Sequence, residues 1–138
     1  MSDSADVPAR LAIAVGRLNR RLRAANGGLS HGLLSALATV SKLGPIRLAE
    51  LARLESVSAP SATRLVAELE NKGLVVRETD PADGRAVLIS ITDRGEELIL
   101  RARAARAAMI EELFEHLGDD EVAAIRAALP ALERAVEL

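Results

Sequence analysis

Along this 138-residue chain the apolar period changes in one place. Up to residue 73, apolar residues recur at steps of three and four, the spacing that lines one face of a helix. Over residues 74–78 and 86–91 they alternate, with Val87, Ile89 and Ile91 on one side, which is the period of a strand. From residue 93 the helical spacing returns. One pair of strands set among helices predicts a mainly α chain with a single β-hairpin. Between the strands, Thr79-Asp80-Pro81-Ala82-Asp83-Gly84-Arg85 is polar and turn-forming, so a long hairpin tip is expected.

The helical segments have readable ends. Val7, Leu11, Val15, Leu18, Leu22 and Ala25 form the first stripe, and Asn26-Gly27-Gly28 stops it. Ser30 suits an N-cap before a second helix that reaches about residue 41. Gly44-Pro45 breaks that helix, and Pro45 is expected in the first turn of a third one carrying Leu48, Leu51 and Ala52. After the short turn Glu55-Ser56-Val57, a fourth helix is predicted over 59–71, with Ala62, Leu65, Val66 and Leu69 inward and Gly73 as its stop. Beyond the hairpin, Asp93 with Glu96 reads as a capping box opening a long helix to about residue 117. Gly118 ends it. Asp119, Asp120 and Glu121 suit the start of a last helix, whose stripe is Val122, Ile125, Leu129, Leu132 and Val136. Pro130 lies inside that stripe and is expected to bend the helix. The expected order is four helices, a hairpin and two helices.

Composition narrows the function. One domain is expected over residues 1–138, long enough to bury roughly 70% of its unfolded surface. With no cysteine, disulfides, thiolate metal sites and thiol redox sensing are excluded. No apolar run approaches the roughly 20 residues of a membrane span, and the acidic first residues do not resemble a secretion signal. A cytoplasmic protein without membrane contact is expected. No nucleophile–base set, glycine-rich phosphate loop or carboxylate pair stands out, so no catalytic residue and no cofactor are assigned. His31 and His116 are the two histidines, too few for a zinc site without carboxylates. Charge is unevenly spread. Residues 7–49 hold seven Arg or Lys and no acid, whereas residues 107–138 carry a net charge of −6. The two ends can attract each other within one fold or across a dimer. The terminal helices, rich in Ala and Leu, carry more apolar surface than one chain of this size covers, so dimerisation through them is expected.

The third and fourth helices have the spacing of a helix-turn-helix. Small Ala52 admits the second helix, Val57 plugs the turn, and Ala62 and Leu65 anchor the pair; Ser56 stands where such turns often have glycine. Opposite Ala62, the outer face of the fourth helix offers Pro60 and Arg64, flanked by Ser58, Ser61 and Thr63. A helix fits the major groove, and its first residues reach base edges. Arginine binds guanine with two hydrogen bonds, while hydroxyls serve bases or phosphate. At the hairpin tip Arg85 is placed to enter a minor groove, where the potential is most negative. Asp83 is expected to fix the loop, either by pairing with Arg85 or Arg77 or by accepting from backbone N–H groups. The residues by themselves also admit a protein-interaction module on the same scaffold.

Three motifs occur in order: Thr63-Arg64-Leu65; Leu69-Glu70-x-Lys72-Gly73-Leu74-Val75-x-Arg77; and Asp83-x-Arg85-x-x-x-Ile89-x-Ile91-Thr92, followed by Gly95. Together they resemble the MarR (multiple antibiotic resistance regulator) family of bacterial repressors, most closely over residues 48–96. The resemblance implies a winged helix-turn-helix DNA-binding lobe over residues 30–92 and dimerisation helices over 1–29 and 93–138. It implies a homodimer on double-stranded DNA at a near-palindromic operator, often with repression relieved by a small-molecule effector. The expected DNA contacts are Ser58, Pro60, Ser61, Thr63 and Arg64 on the recognition helix and Asp83, Gly84 and Arg85 on the wing, with Arg77 as wing support. Arg20, Arg21 and His31 are candidates for an effector pocket that meets an anion. Gly84 departs from the family, which often has a basic residue there; a weaker wing contact or a more flexible tip is expected.

Overall fold

The computed structural model describes residues 6–137. Six helices and three strands follow in the order α1 (Val7–Leu22), a 3-10 turn (Arg23–Ala25), α2 (His31–Leu43), β1 (Ile46–Arg47), α3 (Leu48–Leu54), α4 (Ala59–Asn71), β2 (Val75–Asp80), β3 (Asp83–Ile91), α5 (Asp93–Phe114) and α6 (Asp119–Val136). The expected winged helix-turn-helix, four helices, a hairpin and two helices, is therefore present. No helix among the described residues is long and apolar enough to cross a membrane.

The core lies in the central lobe. Leu33, Ala36, Leu37 and Val40 of α2 meet Leu51 of α3, Val66 and Leu69 of α4, and Ile46, Val75 and Ile89 of the sheet, and Ile99 of α5 closes the cluster. Burying each leucine contributes roughly 1.5–3 kcal/mol. The helix-turn-helix pair is thus held from behind by α2 and the sheet, and its outer face stays in solvent.

Local chemistry accounts for most boundaries. Ser30 and Ser58 are N-caps, accepting from the Leu33 and Ser61 N–H groups. Helix α3 ends in a Schellman pair, Ser56 N–H to the Arg53 carbonyl and Val57 N–H to the Ala52 carbonyl. Helix α4 ends the same way, with Gly73 at φ 74° and the Leu74 N–H bonded to the Leu69 carbonyl.

Four expectations are corrected. Pro45 lies outside the third helix: it precedes strand β1, which adds a third strand, in the order β1-β3-β2. Two residues are too few to show a period. The hairpin tip is shorter than expected, because β2 and β3 run on to Asp80 and Asp83 and leave only Pro81 and Ala82 between them. The polar residues are absorbed as an irregularity: Thr79 faces Val87 while Asp80 faces Asp83, so Gly84, Arg85 and Ala86 bulge from β3. The cap of α5 is Thr92, which accepts from the Gly95 N–H, and not Asp93. Helix α5 stops at Phe114, short of residue 117. Pro130 lies inside α6, as its place in the stripe implied.

Candidate nucleic-acid interface

Helix α4 presents a short chain of polar contacts at its first turns. Ser58 donates to the Ser61 hydroxyl (3.0 Å) and accepts from its N–H, and Arg64 Nη2 donates to the same hydroxyl (3.1 Å). Ser58, Pro60, Thr63 and Arg64 are exposed and Ser61 is half-buried, whereas Ala62, Val66 and Leu69 point into the core. Ser61 accepts two of these bonds, so its own hydroxyl proton stays available to an outside acceptor. Thr63 is less free: its hydroxyl donates to the Ala59 carbonyl at 3.0 Å.

The wing is braced at three levels. At its tip Asp80, largely buried, accepts from the Ala82 N–H (2.9 Å) and from Nε and Nη2 of Arg47 on β1 (3.0 and 2.6 Å). The Ala82 N–H, and after it the Arg47 guanidinium, hold the Asp80 carboxyl below the ordinary carboxylate range. Beside it Asp83 accepts from the Arg85 N–H at 3.0 Å. Of the three roles open to Asp83, the backbone one is formed. Lower down, Arg77 pairs with Glu70 of α4 at 3.4 Å, so it joins the wing to α4 and does not reach Asp83. Gly84 and the Arg85 side chain stand exposed in the bulge.

Charge pairing sorts the arginines of this lobe. Residues 46–85 contain five. Arg47, Arg53 and Arg77 are matched by Asp80, Glu50 and Glu70. Among the described residues, Arg64 and Arg85 have no carboxylate partner. In a lobe with no net positive charge, the two unmatched arginines thus lie on the outer face of α4 and on the wing.

Behind the helix-turn-helix lies a cleft of about 430 Å³ between α1, α2 and α5. Leu34, Ala38 and Ile99 give it apolar walls, and Ser35, His31, Arg103 and Arg106 bring polar groups to it. Asn26, fully buried, organises one end: its carboxamide oxygen accepts from Arg106, so its NH2 faces His31 Nδ1 at 3.2 Å. His31 Nε2 then donates to the Asn19 carbonyl at 3.0 Å. The expected trio of Arg20, Arg21 and His31 is divided. His31 lines this cleft, while Arg20 and Arg21 line a separate groove of about 610 Å³ with Leu18, Phe114 and Ile125.

Sequence reasoning missed Arg47, Asp80, Glu70, Asn26, Arg103 and Arg106. Most of their partners lie far along the chain: Arg47 and Asp80 are 33 residues apart, Asn26 and Arg106 are 80. One signal was available. Ile99, Ala102, Arg103 and Arg106 share a helix face, so two arginines interrupt an inward stripe.

Comparison with known proteins agrees with this architecture. The model of the MarR family matches residues 29–87. The chain is 39% identical over 123 residues to an uncharacterised HTH-type transcriptional regulator of Mycobacterium leprae, covering 88% of this chain and 86% of that protein. It is 27% identical over 95 residues to the HTH-type transcriptional repressor MdtR of Bacillus subtilis, covering 69% of this chain and 61% of that one. The crystal structure of wild-type MarR from E. coli in its apo form superposes with a TM-score of 0.77 at 26% identity, covering 90% of this chain and 95% of that chain. With the recognition helix, the wing and the paired helices behind them already in place, the chain belongs to the MarR family of helix-turn-helix transcriptional regulators.

Proposed function

We propose that the chain is a repressor that binds a near-palindromic operator as a homodimer and is released by a small organic anion. The observation that carries the DNA-binding part is the sorting of charge. Arg64 and Arg85, unmatched by carboxylates, stand on the two elements that enter grooves in this fold. A two-fold dimer sets two α4 helices into successive major grooves, about one turn or 10 bp apart, with the wings over the flanking minor grooves. Ser58, Pro60, Ser61 and Thr63 serve beside Arg64, and Asp83 and Gly84 shape the bulge that carries Arg85. The repressor reading follows the name of the Bacillus subtilis relative. The effector reading rests on the cleft, where apolar walls and two arginines meet. Neither arginine has a carboxylate partner among the described residues, the arrangement that suits an organic carboxylate.

Selection of bound sequences from a random DNA pool yields the operator and its half-site spacing. On that operator, Arg64→Ala is expected to lose about 1–3 kcal/mol per half-site and to relax preference at one base position. Arg85→Ala is expected to weaken all sequences alike and to flatten the dependence of log K on log salt by about one for each phosphate it no longer neutralises. Equal operator binding by wild type and Arg64→Ala would exclude the docking of α4. No saturable binding to any selected DNA would favour the protein-interaction module.

A further inference from the structure

We propose that Ser35 is the residue through which occupancy of the cleft reaches the helix-turn-helix. This rests on the reading that the cleft takes an organic anion. Ser35 lines the cleft from α2, and its hydroxyl donates to Glu55 Oε2 at 2.7 Å. Glu55 is the C-cap of α3 and begins the turn that leads to α4. The other oxygen of the same carboxylate accepts from Thr39 at 2.6 Å. Two hydroxyls one helical turn apart on α2 therefore grip the turn of the helix-turn-helix by one carboxylate.

A serine hydroxyl has one proton to donate. In the structure that proton goes to Glu55. A carboxylate drawn in by Arg103 and Arg106 is a second acceptor for it, and a charged acceptor within the cleft competes on equal chemical terms. When Ser35 turns to the ligand, Glu55 keeps only Thr39, and the α3–α4 turn loses one of its two ties to α2. The angle at which α4 is offered to DNA depends on that turn, so ligand binding and DNA binding oppose each other. Thr39 does not line the cleft, which makes it the internal control.

The test uses benzoate as probe, with neutral benzamide beside it. Binding to the protein is followed by calorimetry, and operator affinity by fluorescence anisotropy with and without benzoate. In the wild type, saturating benzoate is expected to weaken operator binding about 5- to 20-fold, within the usual range of coupling between sites. Ser35→Ala is expected to bind benzoate still, to bind the operator without benzoate about as weakly as the liganded wild type, and to respond less than about twofold. Thr39→Val is expected to lower operator affinity yet keep the benzoate response. Ser35 is exposed, so its truncation does not threaten the fold, and a thermal melt checks this. If benzoate binds and Ser35→Ala responds as the wild type does, or if bound benzoate leaves wild-type operator affinity unchanged, the relay is wrong and the cleft still takes an organic anion. If benzoate does not bind the wild type, the cleft reading falls and takes the relay with it.

Discussion

Ser56 holds φ 54° in the turn of the helix-turn-helix, in the left-handed region that disfavours any side chain by roughly 1–2 kcal/mol. The Schellman bonds from Ser56 and Val57 fix that conformation. Ser56→Gly relieves the strain and gives back part of it as unfolded-chain entropy, for a net gain of about 0.5–1 kcal/mol. Urea unfolding measures this; a midpoint that does not rise would show that the serine is not strained. Gly95 is the opposite case. A Cβ there would collide with the Leu74 carbonyl oxygen and the Ile91 side chain, so the start of α5 approaches the base of the wing closely only because the residue is glycine. Both positions stood out in the sequence, as a departure from the usual turn glycine and as the last residue of the wing motif. The reason for Gly95 is visible only once α5 and the sheet are packed.

At the scale of the element, the wing is held by its base and its tip. Arg47 is supplied by β1, a strand of two residues, and its contact with Asp80 crosses 33 positions of chain. Neither partner is marked by pattern, which is why the brace was not legible in the sequence while the hairpin itself was. The depressed Asp80 carboxyl fixes the sign of its pH effect. A group whose folded pKa lies below its unfolded value stabilises the fold fully above the unfolded pKa of about 4, and that contribution is lost as pH falls through the folded value. Asp80→Asn is therefore expected to lower Tm at pH 7 and to show a shallower fall of Tm between pH 4 and pH 2 than the wild type. Parallel Tm–pH curves would count against the brace. On operator DNA the same variant is expected to resemble Arg85→Ala, because under the proposed docking a wing without its anchor would no longer hold Arg85 at the minor groove.

Across the whole molecule, apolar surface is left over at the ends. Val15 and Leu18 of α1 are 46% and 39% exposed, and Leu129 and Leu132 of α6 are 44% and 39% exposed, while α6 buries no residue at all. Among the described residues, no ion pair joins the arginines of α1 to the acids of α5 or α6. Surface and charge are both left unmatched within one chain, and these are what the proposed homodimer would cover and pair. A stable interface buries about 1,200–2,000 Å². Sedimentation is expected to give twice the chain mass for the wild type, and the single-chain mass for the double variant Leu129→Glu, Leu132→Glu, with operator binding lost alongside. A wild-type monomer would remove the two-fold docking on DNA.

The six helices, the hairpin, their order and the outward residues of α4 were determined by sequence alone, because period, caps and turn residues act over a few positions and carry their own local physics; the two-residue β1 was not. Family membership was readable from three short motifs for the same reason. The tertiary structure alone decided that Asp80 neutralises Arg47, where the cleft opens, and that Glu55 ties the turn to α2. Those depend on side chains brought together from 16 to 80 positions apart, and no local preference records which distant group will arrive.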